Sequence, residues 1–73
     1  MRVLGIDPGS RRTGWGVVQL EGTRLRHIGA GTIAVPEKRA LSKRLRQIHE
    51  GLVGVIAEHE PEAVAVEEIF YAK

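Results

Sequence analysis

Val3-Leu4-Gly5-Ile6-Asp7-Pro8-Gly9-Ser10 near one end, and Ala63-Val64-Ala65-Val66-Glu67-Glu68 near the other, are the stretches on which the fold of this chain turns. Each is a short apolar run that ends in a carboxylate. Val3–Ile6 closes on Asp7-Pro8-Gly9-Ser10, so it reads as a buried strand followed by a turn. Ala63–Val66 shows no polar alternation, the pattern of a strand covered on both faces and typical of parallel pairing. The first strand has the same apolar character and is its simplest partner.

The segments between them say how the chain travels from one to the other. Gly14–Leu20 reads as a second strand with Trp15, Val17 and Val18 as its apolar members, and Glu21-Gly22 as a tight turn. A third strand follows from Thr23 to about Val35, with Arg24 and Arg26 alternating around Leu25. Gly29 and Gly31 weaken it and predict a bulge or bend. Short turns make these three strands an antiparallel meander, and Pro36 ends it. A helix then runs from about Ala40 to His59. Leu41, Leu45, Ile48, Leu52, Val55 and Ile56 recur at three- and four-residue spacing and are expected to face the sheet. Lys43, Arg46, Gln47, Glu50 and Glu58 fall on the other side. Gly51 and Gly54 interrupt the helix, each at a cost of about 1 kcal/mol against Ala. Gly51 borders the apolar stripe, where close approach to the sheet is a reason for it; Gly54 has no such reason. Pro61 stops the helix. A strand, a helix and a further strand predict a crossover, right-handed as nearly all are.

With 73 residues the chain is one domain at most. Abundant Val, Ile, Leu and Ala with charges of both signs exclude intrinsic disorder. Cysteine is absent, so disulfides and thiolate metal sites are excluded, which suits a reducing cytosol. No apolar run approaches the length of a membrane span. The N-terminus meets Asp7 too soon to read as a signal peptide. A net charge of +2 says little, but its distribution says more. Lys38, Arg39, Lys43, Arg44 and Arg46 follow one another with no acid among them, and Arg11-Arg12 forms a second group. Such a stretch is either a solvated helix face or a surface turned toward phosphates. A parallel strand with a single neighbour leaves an apolar edge. The chain is therefore expected to be a piece of a longer protein, of marginal stability alone and prone to self-association along its last strand.

Asp7 and Glu67 stand at the ends of the first and last strands. If those strands are parallel neighbours, both carboxylates leave the sheet at one edge. There they repel each other unless a cation lies between them. Carboxylate oxygens suit a hard ion such as Mg²⁺. A pair of such ions roughly 3.5–4 Å apart can activate water and stabilise the leaving oxygen in phosphodiester hydrolysis. The plainer reading is that Asp7 initiates a turn before Pro8-Gly9 and that Glu67 is simply solvated. On the residues alone both readings stand. Trp15 reads as a core residue, and Tyr71 is a candidate for stacking on a base. His27, His49 and His59 show no ligand spacing; His59 suits the negative end of the helix dipole.

Leu4-Gly5-Ile6-Asp7-Pro8-Gly9-Ser10, continued by Thr13-Gly14-Trp15-Gly16-Val17, resembles the opening of the RuvC-type Holliday-junction resolvases. Ala65-Val66-Glu67-Glu68-Ile69-Phe70, with Ala72-Lys73, is similar to the second motif of that family. The spacing fits, and the resemblance runs over the whole chain. It implies an α/β fold of the RNase H-like type, a five-stranded mixed sheet with helices. Residues 1–73 would be the N-terminal part of a single nuclease domain: three antiparallel strands, a helix, then a parallel strand. It implies that Asp7 and Glu67 are catalytic and bind metal. Two further acids near the family's C-terminus would complete a site for two Mg²⁺ ions, with Mn²⁺ as a substitute. Phe70 matches an aromatic that contacts bases at the junction centre, core packing being its alternative. Arg11, Arg12 and Lys73 join it as expected DNA contacts. Glu68 falls where the pattern is looser, and no role is carried onto it.

The implied activity is metal-dependent endonucleolytic resolution of four-way junctions in recombination and repair. The implied partners are Holliday-junction DNA, a second copy of the full-length protein, and the RuvAB branch-migration complex; the implied location is the cytoplasm. Residues 1–73 alone would be inactive. Two rivals change the chemistry. Sugar kinases, actin and Hsp70-type ATPases share the Gly-Ile-Asp-x-Gly-Ser opening, in which case Gly9, Ser10 and Arg11 would cradle ATP phosphates. A non-catalytic basic module would bind DNA through its phosphates alone. The YqgF family of nuclease-like proteins shares the opening Gly-Ile-Asp and is less similar after Gly9.

Overall fold

A computed structural model of the chain describes residues 1–9 and 11–67. Strands β1 (Arg2–Asp7), β2 (Arg12–Glu21) and β3 (Arg24–Ala34) precede helix α1 (Leu41–His59), and strand β4 (Ala63–Val66) follows it. The four strands form one sheet in the order β3-β2-β1-β4. β1 pairs antiparallel with β2 and parallel with β4, and β2 pairs antiparallel with β3. The meander and the return of the last strand beside the first are therefore as the apolar runs predict. The first two strands reach further than their apolar members: β1 takes in Arg2 and Asp7, and β2 takes in Arg12, Thr13 and Glu21.

Alternation assigns the two faces. Arg2↔Gln19, Leu4↔Val17 and Ile6↔Trp15 are register pairs that lie under α1. Leu4 and Val17 are fully buried there, with Val55 of α1 against them and Ile6, Trp15 and Ile28 around them. The intervening residues Val3, Gly5 and Asp7 of β1, with Gly14, Gly16 and Val18 of β2, belong to the opposite face. The expected irregularity in the third strand is present. The β2–β3 register shifts between Val17, opposite Gly29, and Val18, opposite His27, so Ile28 is the extra residue of a bulge.

Helix α1 crosses the sheet from the β3 end toward the start of β1. Near its middle, a Cβ on Gly51 would lie 2.8 Å from Cδ1 of Ile33, so glycine here permits the close approach its position predicted. Nothing lies within 4 Å of a Cβ placed on Gly54, and the structure does not explain that glycine. At the C-terminus, the Arg2 guanidinium donates to the His59 carbonyl at 2.9 Å and to Gln19 Oε1 at 3.2 Å, tying the last turn to the sheet. The imidazole of His59 leans on Trp15, with ring centroids 5.3 Å apart, and its Nδ1 meets the Val55 carbonyl at 3.1 Å. Tertiary packing thus holds His59 as well as the dipole.

Two packing expectations need correction. Only part of the six-residue aliphatic stripe meets the sheet: Val55 is buried and Ile48 and Leu52 half-buried, while Leu41, Leu45 and Ile56 are exposed. Gly51 at the middle of α1 meets Ile33, the second-last residue of β3, so Leu41 and Leu45 in the half before it lie past the strand ends. β4 is likewise not covered on both faces. Val64 and Val66 are 51% and 57% exposed, because β4 has one strand neighbour among the described residues and α1 does not extend over it.

Candidate metal site at the sheet edge

The C-terminal ends of β1 and β4 build the site. Their parallel register pairs Val3 with Ala63 through Ile6 with Val66. One step further sets Asp7 beside Glu67, and the ladder continues that far, since the Glu67 amide donates to the Ile6 carbonyl at 3.0 Å. Adjacent strands lie about 4.8 Å apart, and residues at equal height on neighbouring strands share a face. The two carboxylates therefore leave the sheet at one edge and on one face, the one opposite α1. Both residues are exposed. Among the described residues no third His, Cys, Asp or Glu joins them.

The turn after Asp7 is held tightly. A Cβ on Gly9 would collide with the Arg12 carbonyl oxygen, so only glycine lets this turn fold back onto the start of β2. The Thr13 hydroxyl, buried in the sheet, donates a long bond of 3.5 Å to the Gly9 carbonyl. This strapping fixes the strand end that carries Asp7. Beside the carboxylates lies a hollow of about 490 Å³, lined by Gly5, Gly14, Gly16 and Gly31, with Ile6, Trp15, Ala65 and Val66. The glycines leave bare backbone next to Asp7, so a bulky ligand can approach the strand ends closely. Reading for chemistry-bearing side chains passes over such residues. Their signal was the every-second-residue recurrence of Gly14 and Gly16, opposite Asp7 and Gly5.

Arg11 and Arg12 stand at the same sheet edge, where the Val35 amide donates to the Arg11 carbonyl at 3.0 Å. Arg11 is ion-paired with Glu37, but both side chains are largely exposed, so the pair constrains it little. Phe70 and Lys73 lie outside the described residues, as do Ser10, Glu68 and Tyr71.

The fold has known counterparts. The family described as crossover junction endodeoxyribonuclease RuvC matches residues 3–73. The RuvC protein of Afipia carboxidovorans is 55% identical over 73 residues, which cover all of this chain and 43% of that protein. The solved structure of Thermus thermophilus RuvC in complex with Holliday junction substrate superposes with a TM-score of 0.88 at 36% identity, covering 100% of this chain and 46% of that one. An exopolyphosphatase from Cytophaga hutchinsonii superposes with a TM-score of 0.73 at 14% identity over 90% of this chain and 24% of its own, which shows a shared fold alone. The chain thus spans less than half the length of the relatives it matches. A sheet of RNase H-like topology, two carboxylates at one edge and a match over residues 3–73 lead to one conclusion: this chain belongs to the RuvC family of crossover junction endodeoxyribonucleases.

Proposed function

We propose that residues 1–73 are the N-terminal part of the single nuclease domain of a four-way-junction resolvase, and that Asp7 and Glu67 are its first two metal ligands. The observation that carries this is the parallel β1–β4 register, which brings the two carboxylates to the same height on one face. Two exposed carboxylates at one strand edge are the donor set a hard divalent ion takes, leaving positions for water and a phosphate oxygen. When bound, Mg²⁺ or Mn²⁺ there would polarise the phosphodiester and favour ionised water at neutral pH.

The protein's own part is positioning. The strapped Asp7–Thr13 turn and the β4 ladder hold the carboxylates in fixed relation, and the glycine-lined hollow admits the sugar–phosphate backbone beside them. Arg11 and Arg12 at the same edge, with Phe70 and Lys73 beyond Glu67, are the DNA contacts in this reading. A homodimer of the full-length protein in the cytoplasm, acting with the RuvAB complex, completes it. Two carboxylates hold half of the acid set, so the segment alone is inactive.

The test is cleavage of a synthetic four-way junction by the full-length protein in Mg²⁺. Asp7→Asn and Glu67→Gln should each abolish cleavage and retain junction binding. Undiminished cleavage by either variant would sink the assignment, and absence of cleavage by the unsubstituted protein would favour the non-catalytic basic module.

A further inference from the structure

The basic stretch after Pro36 is not used by the metal site, yet the topology carries it to the same end of the molecule. β2 and β3 pair Arg12 with Ala34 at the sheet edge where Asp7 ends β1. The chain leaves that edge through residues 36–40 and enters α1 there, since the opposite end of α1 is bonded to Arg2 at the start of β1. Lys38, Arg39 and Lys43 are therefore on the flank of the site on the β3 side, and all three are exposed. Lys38 and Lys43 form no ion pair among the described residues, and the Arg39 guanidinium donates to the neutral Gln47 at 3.0 Å. The first turn of α1 contains no acidic residue and its N-cap is Ala40, so the positive end of the helix dipole adds to these charges uncompensated.

From this juxtaposition we infer that Lys38, Arg39 and Lys43 form a track for a nucleic-acid backbone running from the β3 flank to the Asp7–Glu67 edge. The inference rests on the nuclease reading for the direction of the track, and its test is separate from cleavage.

The test is fluorescence anisotropy of the full chain with a labelled DNA duplex, in EDTA, over a range of salt concentrations. Removing one phosphate-neutralising cation should lower the slope of log affinity against log salt by about 0.9. The triple variant K38Q/R39Q/K43Q should therefore have a slope smaller by about 2 to 3, and bind on the order of tenfold more weakly at low salt. The double variant R24Q/R26Q removes exposed charge at the far hairpin end of the sheet and should change the slope by less than about 1. The charge-preserving K38R/R39K/K43R should bind as the parent does, and far-UV circular dichroism should be the same for all. An unchanged slope in the triple variant would overturn the proposal. So would equal losses in the triple and double variants, or a loss confined to phosphatidylserine vesicles with duplex binding intact. Cleavage surviving Asp7→Asn would fault the nuclease reading and leave these slopes unaffected, so the two failures are distinguishable.

Discussion

Replacing the two helix glycines one at a time separates helix propensity from packing within the same element. Gly51 and Gly54 lie in the interior of α1, three residues apart, and Ala in place of either gains about 0.8–1 kcal/mol of intrinsic helix stability. At Gly54 the new methyl meets nothing within 4 Å, so Gly54→Ala should realise that gain. At Gly51 it meets Ile33 Cδ1 at 2.8 Å, Cγ1 at 3.1 Å and Cγ2 at 3.2 Å. Carbon atoms are best placed at roughly 3.5–4.0 Å, so the closest approach is short by about 0.7–1.2 Å. Moving Cδ1 alone does not relieve it, because the two γ carbons are also close and Ile is stiff about χ1. Overpacking of this kind costs about 1–3 kcal/mol. Gly51→Ala should therefore be neutral or destabilising by up to about 2 kcal/mol, and the two variants should differ by about 1–3 kcal/mol. Urea unfolding followed by circular dichroism at 222 nm reads both. Equal stabilisation by the two substitutions would refute the reasoning, since it would mean that α1 is not pressed against β3 at Gly51.

Three further outcomes are expected. Glu60 is the left-handed C-cap of α1 (φ 49°), a conformation glycine adopts without penalty, so Glu60→Gly should stabilise by about 0.5–1 kcal/mol in the same urea assay. Arg2→Met keeps the aliphatic stem and removes the bonds to the His59 carbonyl and Gln19; it should cost roughly 1–2 kcal/mol and increase fraying of the last turn in hydrogen exchange. The exposed edge of β4, with Val64 and Val66 uncovered, should make isolated residues 1–73 self-associate with rising concentration in analytical ultracentrifugation. Val66→Lys should suppress that association, and concentration-independent sedimentation of the unsubstituted segment would contradict it.

The composition of each segment was enough to determine the strand types, the helix and its stop, and the two carboxylates. Period-two and three-to-four-residue patterns are local, and a Pro or Gly acts on the residues beside it. The reason for Gly51 was legible too, because its place beside the aliphatic stripe could be counted along one helix. Tertiary structure alone decided which part of that stripe is covered. Leu45 and Leu52 are equivalent by periodicity, yet one is exposed and the other half-buried, because the Gly51–Ile33 contact and the Arg2–His59 bond, which join distant segments, seat the second half of α1 on the sheet and leave the first half past the strand ends. The same holds for the site. The sequence offered Asp7 and Glu67 as acids at two strand ends, but their equal height depends on a parallel register across 60 residues, which no local pattern encodes. Hydrogen bonding between β1 and β4 made the pair, and the folding-back of α1 brought Lys38, Arg39 and Lys43 to the same end of the sheet.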